Sequence, residues 1–187
     1  QSPPHHRHGK SLGFKRAIDV GAGAGRITKL ILLKRYDSVR LVEGDEGWSK
    51  RSRMYLGKKR ATRCDFTCAR LEDLEPQFMA EWGDDADLIW LQWTLQYLTD
   101  ADAVDTLRNL AGAMLEHTGL LVVKENRPYG TARTDRFQME RPENSGGRYD
   151  ITRSDEHHRF LFHQAGLVVN MREEGVETNT YALRCMA

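Results

Sequence analysis

The segment AIDVGAGAGRIT, residues 17–28, sets Gly21, Gly23 and Gly25 between a short apolar run and a stretch with helical spacing. Glycine at such a junction lets the chain turn sharply and brings bare backbone up to a ligand. The chain is thereby committed to a strand–turn–helix unit, with the strand over 17–20 and an amphipathic helix over 26–36. The rest of the chain repeats the alternation. Residues 39–42 read as a second strand, 46–56 as a helix closed by Gly57, and 64–67 as a short third strand. A fourth strand is expected over 88–91, a helix over 101–115 ending near Gly119, and a fifth strand over 120–124. A loop over 126–153 then precedes a helix near 154–164, Gly166, and two β-rich segments at 167–173 and 178–185. This order predicts an α/β fold. Its sheet is Rossmann-like, doubly wound, mostly parallel and seven-stranded, and it ends in an antiparallel hairpin.

Length and charge narrow the function. The 187 residues are enough for one domain over 17–187, with 1–16 read as a flexible polar lead-in rich in Pro and His. A net charge of +1 gives no expectation of nucleic-acid binding, and apolar runs such as LILL at 30–33 fall far short of the ~20 residues a membrane helix needs. Cys64, Cys68 and Cys185 make an odd set without a paired C-x-x-C spacing. They suit a reducing cytoplasmic or nuclear setting and buried thiols better than a disulfide framework or a zinc site. No metal is expected.

A carboxylate, Glu43, ends the second strand 22 residues after Gly21, where it can accept both hydrogen bonds of a ribose diol. That constellation serves NAD or S-adenosylmethionine. Asp19 before the glycines can organise the loop or touch the cofactor, and Arg26 after them can grip a carboxylate, which S-adenosylmethionine carries. After the third strand, LED at 71–73 offers Leu71 to a purine face and Glu72 or Asp73 to its exocyclic amine. The fourth strand is unusual in ending IWLQW, which puts the amide of Gln92 and the indole of Trp93 where an apolar run should continue.

Taken with DVGAGAGRITK at 19–29, YLG at 55–57, KEN at 124–126, DITRSD at 150–155, AGL at 165–167 and YALR at 181–184, the stretch DLIWLQWTLQYLTD resembles the protein alpha-N-terminal methyltransferases. The resemblance implies methyl transfer from S-adenosylmethionine to the free α-amine of proteins beginning Xaa-Pro-Lys, by a monomer whose partners are protein N-termini. It implies a cofactor site of Gly21, Gly23, Arg26, Glu43, Gly44, Asp45, Leu71, Glu72 and Gln92. It also implies Trp93 as a wall for the substrate proline and Asn126 as a hold on the peptide backbone.

The sequence departs from that pattern at the proton acceptor. Tyr97 stands where the family usually has a His, and a phenol of pKa ~10 is a poor base at neutral pH, though it can hydrogen-bond the amine. Near the end of the long loop, Arg148 stands where an acid is expected and Asp150 is the carboxylate left to act as base. Asp135, Glu140 and Glu143 could meet a substrate lysine among the loop's six arginines. About twenty residues precede the glycine turn where the family has a longer leading segment, so a fragment or an open site is expected. Two further readings stay open: a methyltransferase of the same fold with a small-molecule or other peptide acceptor, and a catalytically impaired cofactor-binding module.

Overall fold

Apolar runs pair into a parallel sheet where both faces are covered, and the strands read from the sequence do so. In the computed structural model, which describes residues 16–74, 86–114, 118–129, 134–139 and 149–186, nine strands form. They are β1 (Arg16–Val20), β2 (Ser38–Glu43), β3 (Cys64–Cys68), β4 (Leu88–Gln92), β5 (Leu120–Asn126), β6 (Arg136–Met139), β7 (Tyr149–Thr152), β8 (Leu167–Glu174) and β9 (Thr178–Cys185). Seven of them make one sheet in the order β3-β2-β1-β4-β5-β9-β8. Neighbours from β3 to β5 run parallel, and β9 pairs antiparallel with both β5 and β8. The terminal hairpin therefore completes the sheet as the alternation predicts.

Alternate residues of β1 face opposite cores. Ile18 and Val20 join Leu107, Leu110, Leu161 and Phe162, while Ala17 joins Leu32, Leu33, Val39 and Leu56. The helices behind these faces are α1 (Arg26–Leu30), α2 (Glu46–Leu56), α3 (Lys58–Ala61), α4 (Asp100–Gly112) and α5 (Asp155–Gln164). Short polar side chains cap three of them: Asp45 accepts from Trp48 N, Thr99 from Asp102 N and Ser154 from His157 N. Among the described residues no helix is long and apolar enough to cross a membrane.

Three expectations are corrected. The helix expected over 26–36 stops at Leu30, bends at Ile31 (φ −122°, ψ −62°), and resumes as a 3-10 turn over Leu32–Lys34. Arg63 holds that segment in place by donating to the carbonyls of Leu33, Tyr36 and Asp37. The loop over 126–153 is not wholly irregular, because β6 and β7 pair antiparallel with Gln138 opposite Asp150. Four-residue strands carry too little pattern to be read alone, and their pairing comes from the partner strand. The thiols are less enclosed than expected: Cys64 is half-buried, while Cys68 and Cys185, each closing a strand, are exposed. Residues 1–15, 75–85, 115–117, 130–133, 140–148 and 187, with Glu140, Glu143 and Arg148 among them, lie outside the described residues, as does the side chain of Glu72.

Candidate functional site

The C-terminal ends of β1, β2 and β4 meet at the glycine turn, where open parallel sheets place their ligands. Gly21 N and Ala22 N both donate to Val42 O, and Gly23 N donates to Glu43 Oε2 at 2.7 Å. The same carboxylate accepts from Asp45 N at 3.0 Å, so Glu43 links the turn to the start of α2. Gly21, Gly23 and Gly25 all have positive φ, which explains the residue type. A Cβ on Gly23 would meet nothing within 4 Å, so bare backbone there faces open space that a ligand can fill.

Asp19 is buried behind the turn and accepts from Thr28 N (3.1 Å) and Thr28 Oγ1 (2.6 Å), tying the first turn of α1 to β1. Burial pushes its carboxyl up to about 6, against the two Thr28 bonds. Of the two roles open to Asp19, organising the loop is the one these bonds display, although the side chain also borders the cleft.

That cleft has a volume of about 580 Å³, and Arg26, Gln92, Trp93 and Tyr97 line it together with the glycine turn. Gln92 Oε1 accepts from Trp90 Nε1 at 3.2 Å, which orients the amide and leaves its N–H groups for a ligand. Trp93 carries φ 54°, the only positive φ on a non-glycine residue among those described. A left-handed backbone costs such a residue ~1–3 kcal/mol and persists where its surroundings enforce it. The Arg26 guanidinium lies 5.5 Å from the Trp93 ring centroid, a cation–π contact that brings the cofactor and acceptor candidates side by side. Tyr97 lies in a 3-10 turn over Leu95–Tyr97, before α4 begins rather than at the start of that helix.

The other expected residues sit further out. Asn126 ends β5, and its Nδ2 donates to the buried Gln96 Oε1 at 3.1 Å. Asp150 lies on β7, close enough to Glu125 for its charge to raise that carboxyl. Leu71 is partly buried against the larger core, and Gly44 packs 3.4 Å from Arg70 Cα, measured from an added Cβ. None of these four borders the cleft, and neither do Glu43 and Asp45.

Sequence reasoning missed three groups. Trp48 and Tyr55 border the cleft from α2, and their signal was available: two aromatics seven residues apart share one exposed helical face. Glu125 is the third. It is fully enclosed, and its Oε1 accepts from Thr94 N (2.8 Å) and Leu95 N (2.9 Å). Desolvation pushes its carboxyl up to about 7, against those amides and the Arg153 charge.

A group raised in this way binds a proton in the folded chain before it does in the unfolded one. Glu125 therefore contributes stability below pH ~4.5 that is lost as pH rises to about 7. His158, buried and lowered to about 4, acts in the opposite direction over nearly the same range, so the difference between variants is the useful quantity. Urea melts of Glu125→Gln should show the variant gaining ~3 kcal/mol on the parent between pH 4.5 and pH 8. A difference independent of pH would mean that the carboxyl is not raised.

Several known proteins resemble this chain in sequence and fold. The chain is 38% identical over 113 residues to N-terminal Xaa-Pro-Lys N-methyltransferase 1 of Danio rerio, covering 60% of this chain and 48% of that protein. It is 31% identical over 176 residues to alpha N-terminal protein methyltransferase 1 of Arabidopsis thaliana, covering 91% and 58%. The chain thus spans about half the length of the curated relatives it matches. A solved SAM-dependent methyltransferase from Leishmania major superposes with a TM-score of 0.71 at 30% identity, covering 92% of this chain and 65% of that one. One from Mesorhizobium loti, 16% identical with a TM-score of 0.71 and 92% of each chain covered, shares the fold. The profile of the AdoMet-dependent proline dimethyltransferases matches residues 5–187, and the chain belongs to that family.

Proposed function

We propose that this chain transfers methyl groups from S-adenosylmethionine to the free α-amine of proteins beginning Xaa-Pro-Lys. The observation that carries the reading is the shared wall of the cleft, where Arg26 and Gln92 on the cofactor side adjoin Trp93 and Tyr97 on the acceptor side. The bound sulfonium supplies an electrophilic methyl. The protein's task is then to align an amine lone pair with it and to keep water out.

The roles follow from position. The open face of Gly23 lets a nucleoside approach the turn, Glu43 takes its ribose hydroxyls, and Arg26 leaves the Trp93 face to grip the amino-acid carboxylate. Gln92 offers its amide protons, oriented by Trp90. The Trp93 indole gives a proline ring rigid apolar area at low entropic cost. Asn126, with its amide nitrogen committed to Gln96, presents its oxygen to the peptide backbone. An α-amine has a pKa near ~8, so a modest neutral fraction exists at physiological pH and weak assistance from Asp150 or Tyr97 suffices.

A peptide beginning Ser-Pro-Lys, incubated with the protein and S-adenosylmethionine, should gain mass in steps of one methyl group, and a blocked α-amine should abolish the gain. Transfer to small-molecule acceptors alone, or to no N-terminal peptide, would overturn the reading. Tyr97 in place of a histidine favours a second reading, in which the cofactor binds normally and turnover is slow.

A further inference from the structure

The segment between β4 and α4 carries the acceptor wall, yet it holds a left-handed Trp93 and no regular element longer than a 3-10 turn. Two buried polar side chains grip it from beneath. Glu125, on β5, takes the amides of Thr94 and Leu95 at 2.8 and 2.9 Å. Arg153, fully buried just after β7, donates to the carbonyls of Leu95 (2.8 Å) and Leu98 (2.7 Å) and to Asp100 Oδ1 (2.9 Å). The carboxyl and the guanidinium thus satisfy both donors and acceptors of the same turn. An apolar residue of like size at either position would leave those backbone groups unpaired, so the two side chains fix the conformation of the turn as well as filling space beneath it.

The glycine side of the cleft is anchored by different groups, namely Val42 O, Glu43 and Asp19. We infer that Glu125 and Arg153 are positioning residues for the acceptor half of the cleft, fixing Trp93 and Tyr97 while the cofactor half is held independently. The inference rests on the proposed methyl transfer, since it assigns the acceptor side of that same site. β7 also packs against the Leu95–Tyr97 turn, so Arg153 carries the position of the β6–β7 ribbon into the wall.

The test combines a readout free of activity with a kinetic one. In Glu125→Ala and Arg153→Met, hydrogen exchange over residues 93–99 should quicken while protection over 19–29 is kept, and calorimetric affinity for S-adenosylmethionine should stay within ~threefold. With a Ser-Pro-Lys peptide, kcat/KM should fall ~tenfold or more. Glu125→Gln retains the accepting oxygen and should recover most of that loss. Leu107→Ala, a core change away from the turn, lowers stability without separating the two halves.

Parallel loss of cofactor affinity and transfer, or unchanged exchange over 93–99 in Glu125→Ala, would overturn the inference. Should Glu125→Ala fail to fold, Arg153→Met carries the comparison, with Glu125→Gln as its near-parental reference. Absence of transfer by the unaltered protein would instead sink the proposed function, and the exchange data would still decide the clamp.

Discussion

Gly21→Ala should abolish cofactor binding. The residue has φ +67°, and a Cβ built there would lie 2.5 Å from Thr94 Oγ1 and 2.9 Å from Thr94 Cγ2. Thr94 cannot retreat easily, because its hydroxyl donates to Gln92 O at 2.9 Å and its amide to Glu125. Relief must come either from displacing the end of β4 with Gln92 and Trp93 or from the glycine turn, and each of these lines the cleft. Adding the cost of a left-handed alanine, we expect affinity for S-adenosylmethionine to fall ~100-fold or more and the protein to melt several degrees lower.

Gly23→Ala supplies the contrast. Its Cβ meets nothing within 4 Å, so stability should drop less while the methyl obstructs the approaching ligand. In a Thr94→Ala background the Gly21→Ala change should regain part of the lost stability, since the obstructing atoms are gone. Calorimetry and thermal melts read all three. Binding by Gly21→Ala within ~threefold of the parent would mean that the turn is not the cofactor's seat.

The same contact explains why some of this site was legible in the chain and some was not. Short apolar runs and glycine punctuation report local requirements, and β1 to β5 with β8 and β9 lie where those signals put them. Gln92 and Trp93 were visible because an amide and an indole contradict a core strand locally. Glu125 and Arg153 contradict nothing locally, since a charged residue at a strand end or before a helix reads as solvated. Their burial is a fact of tertiary packing, made by a turn that closes over them from thirty and more residues away in sequence. The short β6–β7 ribbon escaped for the related reason that its order comes from pairing and from the wall it leans on.

The proton acceptor is where sequence and geometry bear on one another most directly, and Tyr97→His should raise turnover there. Tyr97 is two-fifths exposed and borders the cleft beside Trp93, so the position reaches the acceptor side without a change of backbone. At neutral pH a phenol keeps its proton and can only orient the amine, whereas an imidazole of pKa ~6.5 is mostly neutral and can take the proton. A positioned base contributes ~10²-fold or more, and the gain should appear in kcat rather than in cofactor affinity.

The sign of the pH response identifies the cause. Activity of the variant should rise as pH passes ~6.5 and then flatten, while the parent continues to climb toward the pKa ~8 of the α-amine itself. Asp150→Asn in the parent should lower turnover if that carboxylate takes the proton, and the loss should shrink in the Tyr97→His background, where a second base is present. Turnover of Tyr97→His equal to the parent across that range, with cofactor affinity intact, would show that proton removal does not limit the proposed transfer. The departure at position 97 would then concern how the peptide is held.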